Sequence, residues 1–277
     1  MAWHQTDTDL LSILEQISDI YSQFNLPNSK NVIDDIRNEL QNGVNTRRID
    51  KSSINSKYRA LQNTYVQEFS SNPHRANVIS MLQLSMNTAL TQHNVETQHI
   101  MNEPNVVEII QRRARAYNVL RTFRQIIWNG AQTDEEKIMG LSYVYLNLVD
   151  GIFRNALRAC YIWQQLARND PVDTTTLLDT SVNNIRQYFS NAGLPMHYFE
   201  GWQGYVRNAV GHTTFHFDTT SNLAIYEDSI ANTTTTLSLQ QLIEMCDKLW
   251  SIYEASFLST QLTRINDVCS TLCDRYP

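Results

Sequence analysis

Apolar residues recur at three- and four-residue spacings through most of the chain, the period of a helix with one buried face. Leu10, Leu11, Leu14, Ile17, Ile20, Tyr21 and Phe24 line up in this way. Pro27 is expected to end that helix, because proline cannot continue the hydrogen-bond ladder. A short helix is expected over 30–41, closed by Gly43, and a third over 52–69. Pro73 opens a fourth, where its missing N–H costs nothing in a first turn. Pro104 plays the same part for 105–128, with Val106, Ile109, Ile110, Tyr117, Leu120, Phe123 and Ile127 as the apolar stripe. Arg112, Arg113, Arg115, Arg121 and Arg124 fall on the opposite side of that helix.

Thr133 followed by Glu136 matches a capping box, in which hydroxyl and carboxylate each satisfy an orphan backbone donor. The helix it starts is expected to run to about residue 168, with Ile138, Leu141, Tyr145, Leu148, Ile152, Leu157 and Tyr161 facing inward. Pro171 stops it, and another helix is expected over 174–189, ending near Gly193. After residue 205 the pattern changes. Residues 205–212 read as a short helix. Phe215 and Phe217, then Leu223, Ile225 and Tyr226, flank the polar tetrapeptide 219–222 and predict a small β-hairpin. Ser238 then caps a last long helix. The fold class is therefore all-α: a helical bundle with a small hairpin, preceded by an N-terminal helical region. The best boundary is 129–132, dividing residues 1–130, whose role is open, from a second helical domain over 131–277.

Composition sharpens this. Of 277 residues, 42% are apolar and 18% charged, enough apolar side chain for a core and too much for a disordered chain. Eight Gly and six Pro exclude collagen-like chains, flexible linkers and turn-rich β-sandwiches. Much of the polarity is uncharged, since 45 residues are Asn or Gln. With a net charge of -6 there is no global basic field, so any nucleic-acid contact must use a local patch. The arginine face of 105–128 is either such a patch or a solvated helix side. The four cysteines (160, 246, 269 and 273) form no CxxC pair and read as buried thiols rather than metal ligands. The first residues lack a basic region followed by an apolar run, so no signal peptide is expected. Residues 76–95 carry no formal charge but include Asn77, Gln83, Asn87, Gln92, His93 and Asn94, too polar for hydrocarbon. A cytoplasmic protein with no membrane partner is expected. Walker, GxSxG, HExxH and zinc spacings are absent from the sequence, so neither metal nor cofactor is expected.

The segment with the most chemistry is Tyr205-Val206-Arg207-Asn208-Ala209-Val210-Gly211-His212. On a regular helix five residues advance about 500°, which points Arg207 and His212 about 140° apart. Gly211 is expected to let the backbone leave the helix and swing the imidazole back. A permanent cation beside a group that titrates near neutrality suits phosphodiester chemistry. The guanidinium grips phosphate oxygens at two points, and the imidazole moves a proton to or from a ribose oxygen. RNA carries its own nucleophile, the 2′-OH, so no metal is required.

The run RNAVGH, followed by an aromatic-rich hairpin and a capped helix, resembles the HEPN superfamily (higher eukaryotes and prokaryotes nucleotide-binding domain) over roughly residues 133–277. The resemblance implies a metal-independent endoribonuclease, homodimeric, with two Arg–His motifs facing one composite cleft. His212 would be the general base or acid. Arg207 would bind the scissile phosphate, and Asn208 would orient it. The implied products carry 2′,3′-cyclic phosphate and 5′-hydroxyl ends, and the implied biology is that of a toxin or phage-defence effector with an antitoxin or sensor partner. The alternative is a non-catalytic module that binds nucleotide, RNA or protein. Arg154, in a second Arg-Asn-Ala run, is expected to line the same cleft, with Tyr205 as a further RNA contact. His216 is either another such contact or a plain strand residue, since it alternates with Phe215 and Phe217. Tyr198, Phe199, Trp202 and Tyr205 are either base-stacking aromatics or part of the core or a dimer interface, and Asp150 reads either as a cleft residue or as an exposed acid. Thr214 stands where HEPN toxins paired with a nucleotidyltransferase antitoxin carry a Tyr, which argues against that partnership.

Overall fold

The computed structural model describes residues 6–70 and 72–277, together with most of their side chains. Residues 1–5, the first of those read above for a signal peptide, and the side chains of Asn94, Ile110, Arg113 and Arg115 lie outside what is described. The fold is all-α with one small three-stranded antiparallel sheet. Among the described residues, no helix is long and apolar enough to cross a membrane. Two compact units divide the chain, one formed by residues 1–80 with 257–277 and the other by 81–256. The break expected at 129–132 is thus a junction between helices inside the second unit.

The first unit contains α1 (Asp7–Gln23), α2 (Pro27–Thr46), α3 (Lys51–Phe69), the start of α4 (Pro73–Gln92) and the end of α11 (Leu239–Arg275). Thr6 and Asp9 make a capping box at α1, and Asp50 caps α3 through the N–H groups of Ser52 and Ser53. Leu14, Ile17, Ile33, Ile36, Leu40, Ile54, Leu61 and Ile265 are fully enclosed. Tyr21 and Tyr58 each donate a hydroxyl hydrogen bond to a carbonyl of α11, Leu258 and Leu262 respectively, both at 3.2 Å. Two expectations are corrected here. Pro27 starts α2 instead of merely ending α1. Gly43 does not close the helix over 30–41; it lies within a longer one, and an added Cβ would collide with the Ile49 side chain. The left-handed residue that ends α2 is Arg47, with φ 57°.

The second unit holds the rest of α4, α5 (Asn94–Met101), α6 (Pro104–Gly130), α7 (Asp134–Asn147), α8 (Arg154–Arg168), α9 (Val182–Asn191), α10 (Gly204–Gly211), the sheet and the first part of α11. Thr133 and Glu136 cap α7 reciprocally, as the sequence predicts. Ser238 and Gln241 do the same for α11. The helix expected to run unbroken to 168 contains a π-helical turn, Leu148–Phe153, between α7 and α8. Phe123, placed on the apolar stripe of α6 by its spacing, is 39% exposed. Gly140 lets α6 approach α7, since a Cβ there would meet Ile127 at 2.6 Å.

The helix expected over 174–189 begins only at Val182. Asp173 captures the N–H groups of Thr175 and Thr176 and both their hydroxyls, a local turn that competes with helix formation. Ser181 then caps α9 through the Asn184 N–H. The expected hairpin is present as β1 (Phe215–Asp218) and β2 (Leu223–Asp228), and the Thr-rich run adds β3 (Thr233–Leu237). Phe215 pairs with Tyr226 across the strands, their rings stacked at 5.7 Å. The Tyr226 and Ser142 hydroxyls meet at 2.7 Å, tying the sheet to α7.

Candidate active site

The site is assembled from the π turn, α8, α10 and the end of β2, all within the second unit. Val206, Ala209 and Val210 form the buried face of α10 and orient the helix. Its approach is fixed by Tyr145 of α7, whose hydroxyl donates to the Gly201 carbonyl at 3.1 Å and accepts the Gln203 N–H at 2.7 Å.

Asp150 is the hub; of the two readings the sequence left open, a cleft residue or an exposed acid, it takes the first. It lies in the π turn, a widened geometry common at functional sites. One carboxylate oxygen takes Nη2 of Arg154 at 2.7 Å and Nε of Arg207 at 3.3 Å, and the other takes Nη2 of Arg207 at 2.9 Å. All three side chains are about one-third exposed. Asn208 donates to Asp228 at 3.0 Å, and the other Asp228 oxygen accepts the N–H groups of Ile230 and Ala231. The Asn208 hydrogen bond and those backbone N–H groups hold the Asp228 carboxyl below its ordinary value, with His212 adding to the effect.

The far end of α10 has a different character. Gly211 is its last helical residue and does not make the turn. The reversal falls one residue beyond His212, at Thr213, with φ 57°. The Thr213 N–H bonds the Val210 carbonyl at 3.2 Å and the Thr214 N–H the Ala209 carbonyl at 2.8 Å. This is a Schellman ending with a threonine where glycine is usual. The expectation that Gly211 redirects the imidazole is therefore corrected. His212 is exposed, its backbone N–H closing the helix on the Asn208 carbonyl at 2.9 Å. Among the described residues its ring makes no hydrogen bond.

A pocket of about 690 Å³ opens beside Asp150, lined in part by Arg154, Tyr205, Arg207 and Asn208. Four of the six residues singled out in the sequence therefore meet there. His212 and His216 are not on its lining. His216 is exposed on β1, opposite Ile225, between buried Phe215 and half-buried Phe217, as strand alternation requires. Tyr198 and Phe199 are core residues, Phe199 also bordering the pocket. Sequence reasoning did not find Arg186, whose guanidinium lies 5.6 Å from the Trp202 ring centroid on the same pocket. Nor did it find Asp228 as the partner of Asn208.

Behind the pocket, buried Arg158 donates two hydrogen bonds to the Thr180 carbonyl, at 3.1 and 2.9 Å. It also donates one to Asn155, which reaches the Gly151 carbonyl of the π turn. Burial pushes the Arg158 guanidinium down to about 10. The arginine face of α6 is partly taken up by ion pairs, Arg112 with Glu108 one turn away and Arg124 with Asp247 of α11, each at 2.8 Å. All four cysteines are buried thiols; burial pushes those of Cys246 and Cys269 up to about 12. Among the described residues no group of three or more His, Cys, Asp and Glu side chains could hold a metal ion.

No family model, curated protein or solved structure matches the chain.

Proposed function

We propose that the protein is a metal-independent endoribonuclease of the HEPN type, a cytoplasmic homodimer serving as a toxin or phage-defence effector under an antitoxin or sensor partner. In this reading His212 removes the 2′-OH proton and the 2′-oxygen attacks the adjacent phosphorus. The bond from phosphorus to the 5′-oxygen then breaks, and the leaving oxygen takes a proton from the imidazole of the second copy. A 2′,3′-cyclic phosphate and a 5′-hydroxyl result. Arg207 holds the phosphate oxygens and offsets the charge that develops on them, and Asn208 keeps Arg207 in place.

The observation that carries the reading is the division of labour on α10. Arg207 and Asn208 are held at a pocket edge by carboxylates, while His212, at the end of the same helix, is exposed and its ring makes no hydrogen bond among the described residues, leaving it open to solvent or to a second copy. The test is cleavage of a total-RNA pool by purified protein in EDTA. Cleavage is expected with the natural chain and absent with His212→Ala; equal cleavage by both proteins would refute the assignment.

A second reading, a binding module without catalysis, draws on the engagement of Arg207 by both Asp150 oxygens. It predicts RNA or nucleotide binding with no cleavage of any pool.

A further inference from the structure

The pocket beside Arg207 offers more than a phosphate grip. Three guanidinium groups line it, those of Arg154, Arg186 and Arg207. Arg154 and Arg207 share one carboxylate, that of Asp150. Arg154 gives it a single hydrogen bond, through Nη2, and among the described residues its Nη1 has no partner. A guanidinium with most of its donors unused is poised for acceptor oxygens. The acids on the lining are largely occupied: Asp228 by Asn208 and two backbone N–H groups, Glu200 by His197 at 2.6 Å. Arg186 forms no ion pair among the described residues and covers Trp202 instead. Tyr205 is half-buried on the same wall, and the Asn183 side of the pocket adds amide chemistry.

We infer that this pocket binds one unpaired nucleotide of an RNA strand, its phosphate on Arg154 and Arg207 and its base against Tyr205 and the Arg186–Trp202 pair. Aromatic and guanidinium planes stack any base whose faces have been freed, and a volume of about 690 Å³ suits a ligand of that size. A base still stacked in a duplex cannot enter, so the pocket selects an unpaired strand over a duplex. The inference rests on the nucleic-acid reading of the site and names the part of the strand the pocket takes, the nucleotide next to the bond to be cut. It does not depend on catalysis.

The test is titration of the full chain with each of the four nucleoside 5′-monophosphates and, separately, with inorganic phosphate, followed by calorimetry. At least one nucleotide is expected to bind about tenfold or more tightly than phosphate, since stacking adds about 1–3 kcal/mol per base. Arg186→Gln, an exposed change, is expected to weaken nucleotide binding about fivefold and leave phosphate binding unaltered. Arg154→Gln is expected to weaken both. Phosphate binding as tightly as every nucleotide would overturn the base-binding half of the inference. RNA cleavage by a protein that binds no nucleotide would overturn the inference and leave the ribonuclease reading standing. Nucleotide binding by a protein that cleaves no RNA would support the inference and remove the ribonuclease reading.

Discussion

The two ends of the motif on α10 are built in opposite ways. At one end Arg207 and Asn208 are half-buried and tied to Asp150 and Asp228 through hydrogen bonds of 2.9–3.3 Å. At the other, His212 is exposed and contributes only its backbone to the Schellman ending. A group that must grip an anion gains from being fixed beforehand, because the ordering entropy is then spent in folding. A group that must exchange protons needs access instead. On the ribonuclease proposal, stability and chemistry separate along a single short helix, and substitutions can break or sharpen that contrast.

The largest expected effect on stability is that of Asp150→Ala. It leaves two guanidinium groups facing each other without their shared carboxylate. Because all three side chains are about one-third exposed, the full cost of breaking a buried pair is reduced by solvent, to about 1–2 kcal/mol. Urea unfolding should show that loss, and a midpoint equal to that of the natural chain would mean that Asp150 holds nothing in place. Next come two glycine exchanges that probe where the chain turns. Gly211→Ala fills an exposed helical position whose nearest outside atom, Leu146 Cδ1, is 3.9 Å from the added carbon. It should stabilise by about 0.5–1 kcal/mol. Thr213→Gly relieves a left-handed threonine and should stabilise by about 1 kcal/mol. Destabilisation by Gly211→Ala would place the reversal back at the glycine.

Acid titration separates the ends further. Asp228 has its carboxyl held below the ordinary value of 3.8. Its stabilisation is complete above that pH and fades as pH falls through the lower, folded-state value. Asp228→Asn should flatten the acid limb of a stability–pH curve below about pH 4; an unchanged limb would show that Asp228 titrates as a free acid. The smallest expected effect is that of His212→Ala, with unfolding free energy within about 0.5 kcal/mol of the natural chain, as for surface positions generally. A larger loss would reveal a structural histidine.

Much of this arrangement could be read in the sequence, and the parts that could not share a physical cause. The periodic helices, the Thr133–Glu136 box and the β1–β2 pairing are local patterns, and they appear where the spacing puts them. Gly211 misled because glycine is the usual residue for a positive φ, whereas here Thr213 adopts it, held by hydrogen bonds on both flanks. The missing helix over 174–181 was overridden by one side chain, Asp173, recruiting two threonines. Asp150 reaches Arg207 across 57 residues, and Arg186 reaches Trp202 across the pocket wall. No local spacing encodes either pairing. The π turn that aims Asp150 leaves the apolar stripe almost undisturbed, since Leu148 and Ile152 remain fully buried on either side of it.

The most direct test of the central claim uses the 2′-hydroxyl itself. Once a cut site is mapped on a short RNA, the same strand is made with a single 2′-deoxy sugar on the 5′ side of that bond and incubated with the protein in EDTA. The account predicts that the all-RNA strand is cut to a 2′,3′-cyclic phosphate and a 5′-hydroxyl, and that the substituted strand stays whole at that position. Cleavage of the deoxy-substituted bond, or a 5′-phosphate on the product, would contradict it.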